Sequence, residues 1–252
     1  MNTATIIGAG NVAWHLANAL IDNDIKVLHI VSRSFESAAP LAERVGSIPL
    51  DDVSNEYDEP DIYIVAVSDD QIVSVVRNLS DKESWVVHTS GATGLDVFDI
   101  KKTRYGIMYP LQTFSKERKL DFRKVPLLLE VGETDNLPEL EKFASRLSNF
   151  VSYADTEARA IVHVAAVFAC NFTNRLITIA TELLKEKGLD ADLLKPLVHE
   201  TVEKLAEMDP IEAQTGPALR GDENTIKKHL KLLANHPDWQ KMYTFISREI
   251  KG

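Results

Sequence analysis

Residues 8–13 read Gly-Ala-Gly-Asn-Val-Ala, in the spacing G-x-G-x-x-A. These residue types suit a diphosphate. The first glycine permits a tight turn and the second carries no side chain to obstruct an anion. The small third residue lets a helix pack closely on a strand. Thr5, Ile6 and Ile7 precede the turn as a short apolar strand, and Val12, Leu16, Ala17, Leu20 and Ile21 follow at helical spacing. A strand running through such a turn into a helix offers the free N–H groups and positive dipole end of that helix to phosphate. Gly8, Ala9, Gly10, Asn11 and Val12 are therefore the expected dinucleotide contacts; the alternative is a turn of purely structural use.

The next apolar strand, KVLHIV, ends in Ser32-Arg33-Ser34. Ribose recognition falls at this place in such a unit, and an acidic residue there binds the 2′-hydroxyl of NAD. A carboxylate would repel a 2′-phosphate, whereas an arginine between two hydroxyls would bind one. The expected cofactor is NADP, held at this end by Ser32, Arg33 and Ser34; against it stands a merely solvated Arg33. Further segments continue the alternation of strand and helix. DIYIVAVSDDQIVSVVRNL places Val67 and Ser68 between a strand and a helix, and SWVVHTSGATG ends a strand at Ser90-Gly91-Ala92. The fold class expected is α/β: a Rossmann-like, doubly wound, mostly parallel sheet over residues 1–153, followed by an all-helical domain over residues 154–252. Ligands in such sheets bind beyond the carboxyl ends of the strands, which brings residues 8–12, 67–69 and 88–92 to one rim.

The second half changes character. Residues 155–188 predict one long helix, apolar nearly all round from Ala160 to Phe172 and therefore buried. At 100° per residue, Asn174 lies about 20° from His163 and Asn171 about 80° from it, so the three can face one cavity. Either they satisfy one another and the backbone, or they face a ligand.

Bulk properties narrow the classes. A formal net charge of −10 over 252 residues argues against broad binding to nucleic acid or anionic membranes. The lone cysteine, Cys170, excludes an intrachain disulfide and a Cys-rich metal site, and no metal is expected. Its apolar neighbours predict an inert buried thiol. The start, MNTATIIGAGNVA, has no basic leader, and the apolar run IVHVAAVFACNF is too short to span a bilayer. A cytoplasmic protein acting on small molecules is expected, with neither nucleic acid nor membrane as partner.

Taken in order, TIIGAGNVAWHLANAL, VSDDQI, HTSGATGLDVF, YPLQTFS, HVAAVFACNF and TGPALRGD resemble a bacterial family that joins a Rossmann-like NADP-oxidoreductase domain to a helical domain of unassigned function. The chain is more distantly similar to pyrroline-5-carboxylate reductase, the deazaflavin-dependent NADP oxidoreductases and the 6-phosphogluconate dehydrogenase-like group. The resemblance implies hydride transfer in a cleft lined by the C-terminal helices, and a homodimer built through them. It also implies Val67 and Ser68 beside the cofactor, and Ser90 and Gly91 near the nicotinamide. Two departures matter. Val167 stands where the hydroxyacid dehydrogenases carry a lysine four residues before the helix asparagine, here Asn171; Tyr109 stands where the family form HPLQTF has histidine.

The expectation is an NADP-dependent oxidoreductase with Ser90, His163 and Asn171 around the reacting group and Gln112, Asn174 and Arg220 toward the substrate. The alternative is a non-catalytic NADP-binding sensor dimer. Within AQTGPALRGDENT, Asp222 predicts a helix N-cap and Pro217 the first turn of a short helix. Arg220 either pairs with a carboxylate of its own domain or reaches the cleft. The Arg-Gly-Asp tripeptide is not read as an adhesion signal.

Overall fold

The computed structural model describes residues 1–55, 58–80, 82–98 and 104–252. β1 (Thr3–Ile7) leads through the glycine turn into α1 (Asn11–Ile21), then β2 (Lys26–Val31), α2 (Phe35–Val45) and β3 (Ile48–Leu50). β4 (Ile62–Val65), α3 (Asp69–Arg77), β5 (Trp85–His88) and β6 (Tyr105–Pro110) follow. β7 (Leu127–Val131), α4 (Leu137–Leu147) and β8 (Val151–Tyr153) complete the sheet. Its order is β3-β2-β1-β4-β5-β6-β7-β8. All neighbours are parallel except β6 and β7. This is the Rossmann-like doubly wound sheet that the alternating pattern predicts.

The sequence builds this sheet because β4 and β5, IYIV and WVVH, are buried at every position, as a parallel strand covered on both faces requires. Successive residues supply opposite cores. Ile62 and Ile64 join Leu16, Leu20 and Leu140 on one side, while Tyr63 and Val65 join Ile72 and Val76 on the other. The strand order reverses between β1 and β4, which opens a crevice at their carboxyl ends.

The helical half comprises α5 (Thr156–Ala166), a π-helical segment Val167–Phe172, α6 (Thr173–Glu186), α7 (Lys195–Glu207), α8 (Pro210–Ala213), α9 (Glu223–Leu232) and α10 (Pro237–Lys251). Compactness divides the chain into Met1–Cys170 and Asn171–Gly252. The division falls within the long helical run, not at its start near residue 154, because α5 is anchored to the sheet. Arg159, fully buried, pairs with Glu130 on β7 and donates to the Thr93 carbonyl at 2.6 Å. Thr156 donates to Glu130 Oε1 through N–H at 2.9 Å and through its hydroxyl at 3.0 Å. Asp155 caps the helix, its Oδ1 accepting from Ala158 N–H at 2.8 Å.

Two expectations about this run are corrected. The stretch 160–172 is not buried in the single chain: Ile161 is 67% and Phe168 65% exposed, and Cys170 is exposed with them. A helix apolar all round turns only one stripe to one partner, and here that stripe carries Arg159 and His163. The run Thr156–Glu186 also reaches 31 residues with a mean hydropathy of 1.4 in its most apolar window. It is long and apolar enough, by length and composition, to cross a membrane, which residues 161–172 alone did not suggest.

In the helical unit, Asp222 is the N-cap of α9, accepting from Thr225 N–H at 3.0 Å and from its hydroxyl at 2.7 Å. Residues 217–221 form successive turns in place of the short helix expected from Pro217. Asp222 N–H donates to the Pro217 carbonyl, and Gly216 and Gly221 take positive φ of 116° and 68°. Thr215, Gly216, Pro217 and Ala218 wall an apolar cavity of about 330 Å³ with Leu176 and Trp239.

Gly8 has φ of 121°, and a Cβ there would lie 2.1 Å from the Ala66 carbonyl oxygen. Gly188 also has positive φ but open space around it. Gly8→Ala should therefore cost more than about 2 kcal/mol and Gly188→Ala about 1 kcal/mol, read from urea midpoints. Equal losses would show that backbone conformation alone, not contact with β4, demands Gly8.

Candidate functional site

A cavity of about 840 Å³ opens at the carboxyl ends of β1, β2 and β4, with Gly8, Ala9 and Gly10 in its wall. The turn is held between neighbouring strands: Gly8 N–H donates to Val31 O at 2.8 Å and Ala66 N–H to Ile7 O at 2.7 Å. The two glycines have different reasons. Packing dictates Gly8, whereas a Cβ on Gly10 would meet nothing within 4 Å. Gly10 thus leaves open the space that an anion at this helix end would fill. It is also the N-cap of α1, which has no side-chain cap and no acidic residue in its first turn. The N-terminal N–H groups therefore lack a local anionic competitor. Asn11 and Val12 form that first turn and do not line the cavity.

Val67 and Ser68 border the cavity at the end of β4. Ser68 occupies the N-cap position of α3 without a side-chain cap bond. Ser32 and Arg33 line the β2 end, joined by Ser37, which sequence reasoning missed. Ser34 does not line it. Its hydroxyl caps α2, accepting from Ser37 N–H at 3.3 Å, so the second hydroxyl of this end comes from Ser37. Glu36, Asp51 and Asp52 share the wall. Hydrogen bonds from backbone N–H groups, Glu36's own and that of Ser54 on Asp52, hold the carboxyls of Glu36 and Asp52 below their ordinary range.

Lys116 also reaches the cavity, on the loop after β6. Its Nζ donates to the Ala9 carbonyl at 2.8 Å, across 107 residues of sequence. No local pattern marks it; only the loop's return over the glycine turn brings it there.

At the neighbouring carboxyl ends of β5 and β6, the geometry is tight. The Ser90 hydroxyl accepts from Ala92 N–H at 3.1 Å and Thr93 N–H at 3.0 Å, so it stabilises its own turn and retains one hydrogen to donate. A Cβ on Gly91 would lie 2.7 Å from His163 Nδ1 and 2.8 Å from Tyr109 Cζ. Only glycine lets these rings close over the loop. There Tyr109 Oη and His163 Nδ1 share a 3.0 Å hydrogen bond. Burial, then the negative charge of Asp69, push the Tyr109 phenol above its ordinary value. His163 stands four residues after Arg159, on the same helix face. Position 109 therefore supplies a hydroxyl paired with a histidine from another element.

His88 lies beneath this loop, fully buried. Ser90 N–H donates to its Nδ1 at 3.2 Å, which places the ring proton on Nε2, 3.4 Å from the Gly94 carbonyl. Burial pulls its pKa down to about 4. Ser90, Gly91 and His163 are thus brought together. Asn171, Asn174 and Arg220 belong to the helical unit, where all three are exposed. Gln112 is exposed on the loop after β6, its Oε1 accepting from Thr113 N–H at 2.8 Å.

The sheet and its glycine-turn cavity define a Rossmann-like protein of the dinucleotide-fold class. The model of Domain of unknown function (DUF2520) matches residues 125–250, and the chain belongs to that family. The model of Shikimate / quinate 5-dehydrogenase matches residues 1–89. A provisionally assigned NADP oxidoreductase from Bacteroides fragilis is 40% identical, with TM-score 0.94 over 99% of this chain and 98% of its own. A pyrroline-5-carboxylate reductase from Coxiella burnetii is 16% identical, with TM-score 0.58 over 99% of this chain and 98% of its own. An imine reductase from Myxococcus stipitatus, solved in complex with NADP+, is 17% identical, with TM-score 0.69 over 98% and 93%. At the two lower identities the likeness is one of fold. No curated protein matches the chain.

His88 makes stability pH-dependent. Its folded pKa of about 4 lies below the ordinary 6.5, so the unfolded chain takes up the proton first. The contribution is complete above pH 6.5 and is lost as pH falls toward 4. Between pH 7 and 4.5 the wild type should lose on the order of 2–3 kcal/mol more than His88→Asn, read from urea midpoints. Parallel curves would rule out a neutral buried imidazole.

Proposed function

We propose that the protein is an NADP-dependent oxidoreductase that transfers a hydride to or from a small organic substrate. The observation that carries this reading is the cavity over the glycine turn, where the Gly10 position is kept open and Arg33 lines the β2 end. The 40%-identical relative described as an NADP oxidoreductase supports it. On this reading the 8–12 turn and the α1 N-terminus hold the pyrophosphate. Ser32 and Arg33, with Ser37, hold the 2′-phosphate. Val67 and Ser68 flank the cofactor, and the nicotinamide end lies toward Ser90 and Gly91.

NADP supplies the hydride chemistry; the chain's residues orient substrate and handle the proton. In the reducing direction, the Tyr109–His163 pair delivers a proton to a carbonyl oxygen or imine nitrogen. The 3.0 Å bond from Tyr109 fixes the His163 ring. Ser90 offers its remaining hydrogen for orientation. Asn171 is assigned, with Ser90 and His163, to the reacting group, and Gln112, Asn174 and Arg220 to substrate contact. The exposed apolar side chains of the helical run, Ile161, Phe168 and Phe172 among them, are assigned to a homodimer interface built with a second copy. The protein is placed in the cytoplasm, with neither nucleic acid nor membrane as partner.

Fluorescence titration with NADPH and NADH tests the reading. Arg33→Asp should weaken NADPH by more than about tenfold and NADH by little; equal losses would remove the phosphate assignment. No binding of either nucleotide at millimolar concentration would sink the function. With a panel of imines, ketones and hydroxyacids, Tyr109→Phe and His163→Phe should lower kcat and alter its pH profile. Tight NADPH binding without turnover anywhere in the panel would favour a non-catalytic sensor, for which Val167 at the lysine position is the specific observation.

A further inference from the structure

We propose that Lys116 is a pyrophosphate-binding residue, delivered to the glycine turn by the loop that follows β6. This rests on the dinucleotide reading above and names a side chain that the turn motif does not contain. The Lys116 ammonium donates to the Ala9 carbonyl at 2.8 Å, between the two glycines of the turn, and lines the cavity. An ammonium carries three hydrogens. The carbonyl uses one, and the rest remain for a ligand over the turn.

The loop is pinned where this requires it. His15 Nε2–H donates to the Ser115 carbonyl at 2.9 Å, and the Phe114 ring packs 5.2 Å from His15 and 6.2 Å from Phe122. On its other side Lys116 lies 5.6 Å above the Trp14 ring, whose position on α1 is also braced by Arg44 at 5.1 Å. The ammonium is thus held between an aromatic face and the turn carbonyl.

Charge balance supplies the need. The cavity wall carries the carboxylates of Glu36, Asp51, Asp52 and Asp70. Arg33 lines the β2 end of the same cavity. Backbone N–H groups at a helix start offer only partial charges, whereas a pyrophosphate diester brings two full negative charges. Lys116 places a full positive charge at the turn.

Two probes separate this role from a general one. NADP+ contains the pyrophosphate; adenosine 2′-monophosphate keeps the base, ribose and 2′-phosphate without it. Isothermal titration of Lys116→Met should show NADP+ affinity reduced about tenfold or more, with adenosine 2′-monophosphate affinity changed less than about twofold. The variant should melt within a degree or two of the wild type, since the side chain is exposed. Lys116→Arg should recover most of the NADP+ affinity. Unchanged NADP+ affinity in Lys116→Met, or equal loss for both probes, would overturn the assignment while leaving the cofactor reading intact. Failure of the wild type to bind NADP+ would remove both.

Discussion

A guanidinium with no exposed surface, paired with a carboxylate on a sheet strand, fixes much of this molecule's geometry. Arg159 joins α5 to Glu130 on β7 and holds the Thr93 carbonyl of the loop after β5. Thr156 occupies the other oxygen of the same carboxylate. Removing either charge would strand its partner in the interior, at a cost of several kcal/mol. The helix therefore has one position against the sheet. His163, one turn further along, is presented to Tyr109 as a consequence.

That constraint continues into the loop between them. His88 is buried and neutral beneath it, Ser90 caps it from within, and Gly91 leaves room for the two rings. Each group has a single arrangement, because a buried polar atom without its partner is expensive. The cavity over the glycine turn is the opposite case. Gly10 faces open space, and the N-terminus of α1 has no side-chain cap. A fixed Tyr109–His163 pair beside a roomy crevice is the division of labour that the proposed hydride transfer would call for: a cofactor must enter and leave, whereas an acid must not move.

The long run of the helical half is apolar around most of its circumference, and only the stripe bearing Arg159 and His163 docks on the sheet. Ile161, Phe168 and Phe172 on the rest of it are exposed in the single chain. TGPALRGD, by contrast, is used locally apart from Arg220. Its glycines take positive φ, Asp222 caps α9, and Thr215 to Ala218 wall an apolar cavity. Arg220 is exposed, and its charge helps to hold the Asp222 carboxyl low, behind the hydrogen bonds from Thr225.

The amino-acid sequence by itself determined what depends on neighbouring residues. The G-x-G-x-x-A turn follows from local sterics, and the parallel sheet from continuous apolar strands alternating with helices. The cap at Asp222 follows from a short carboxylate one residue before a helix. Ser34 and Ser90 were legible as candidate hydroxyls, yet Ser34 caps α2 outside the cavity and Ser90 accepts within its own loop; residue type does not reveal whether a lone pair is already taken. The tertiary structure alone decided the rest. It brought Lys116 to Ala9 across 107 residues, set Tyr109 against His163, and turned an apolar run expected to be buried outward. Side-chain chemistry states what a group requires, and only the path of the chain states which distant group supplies it.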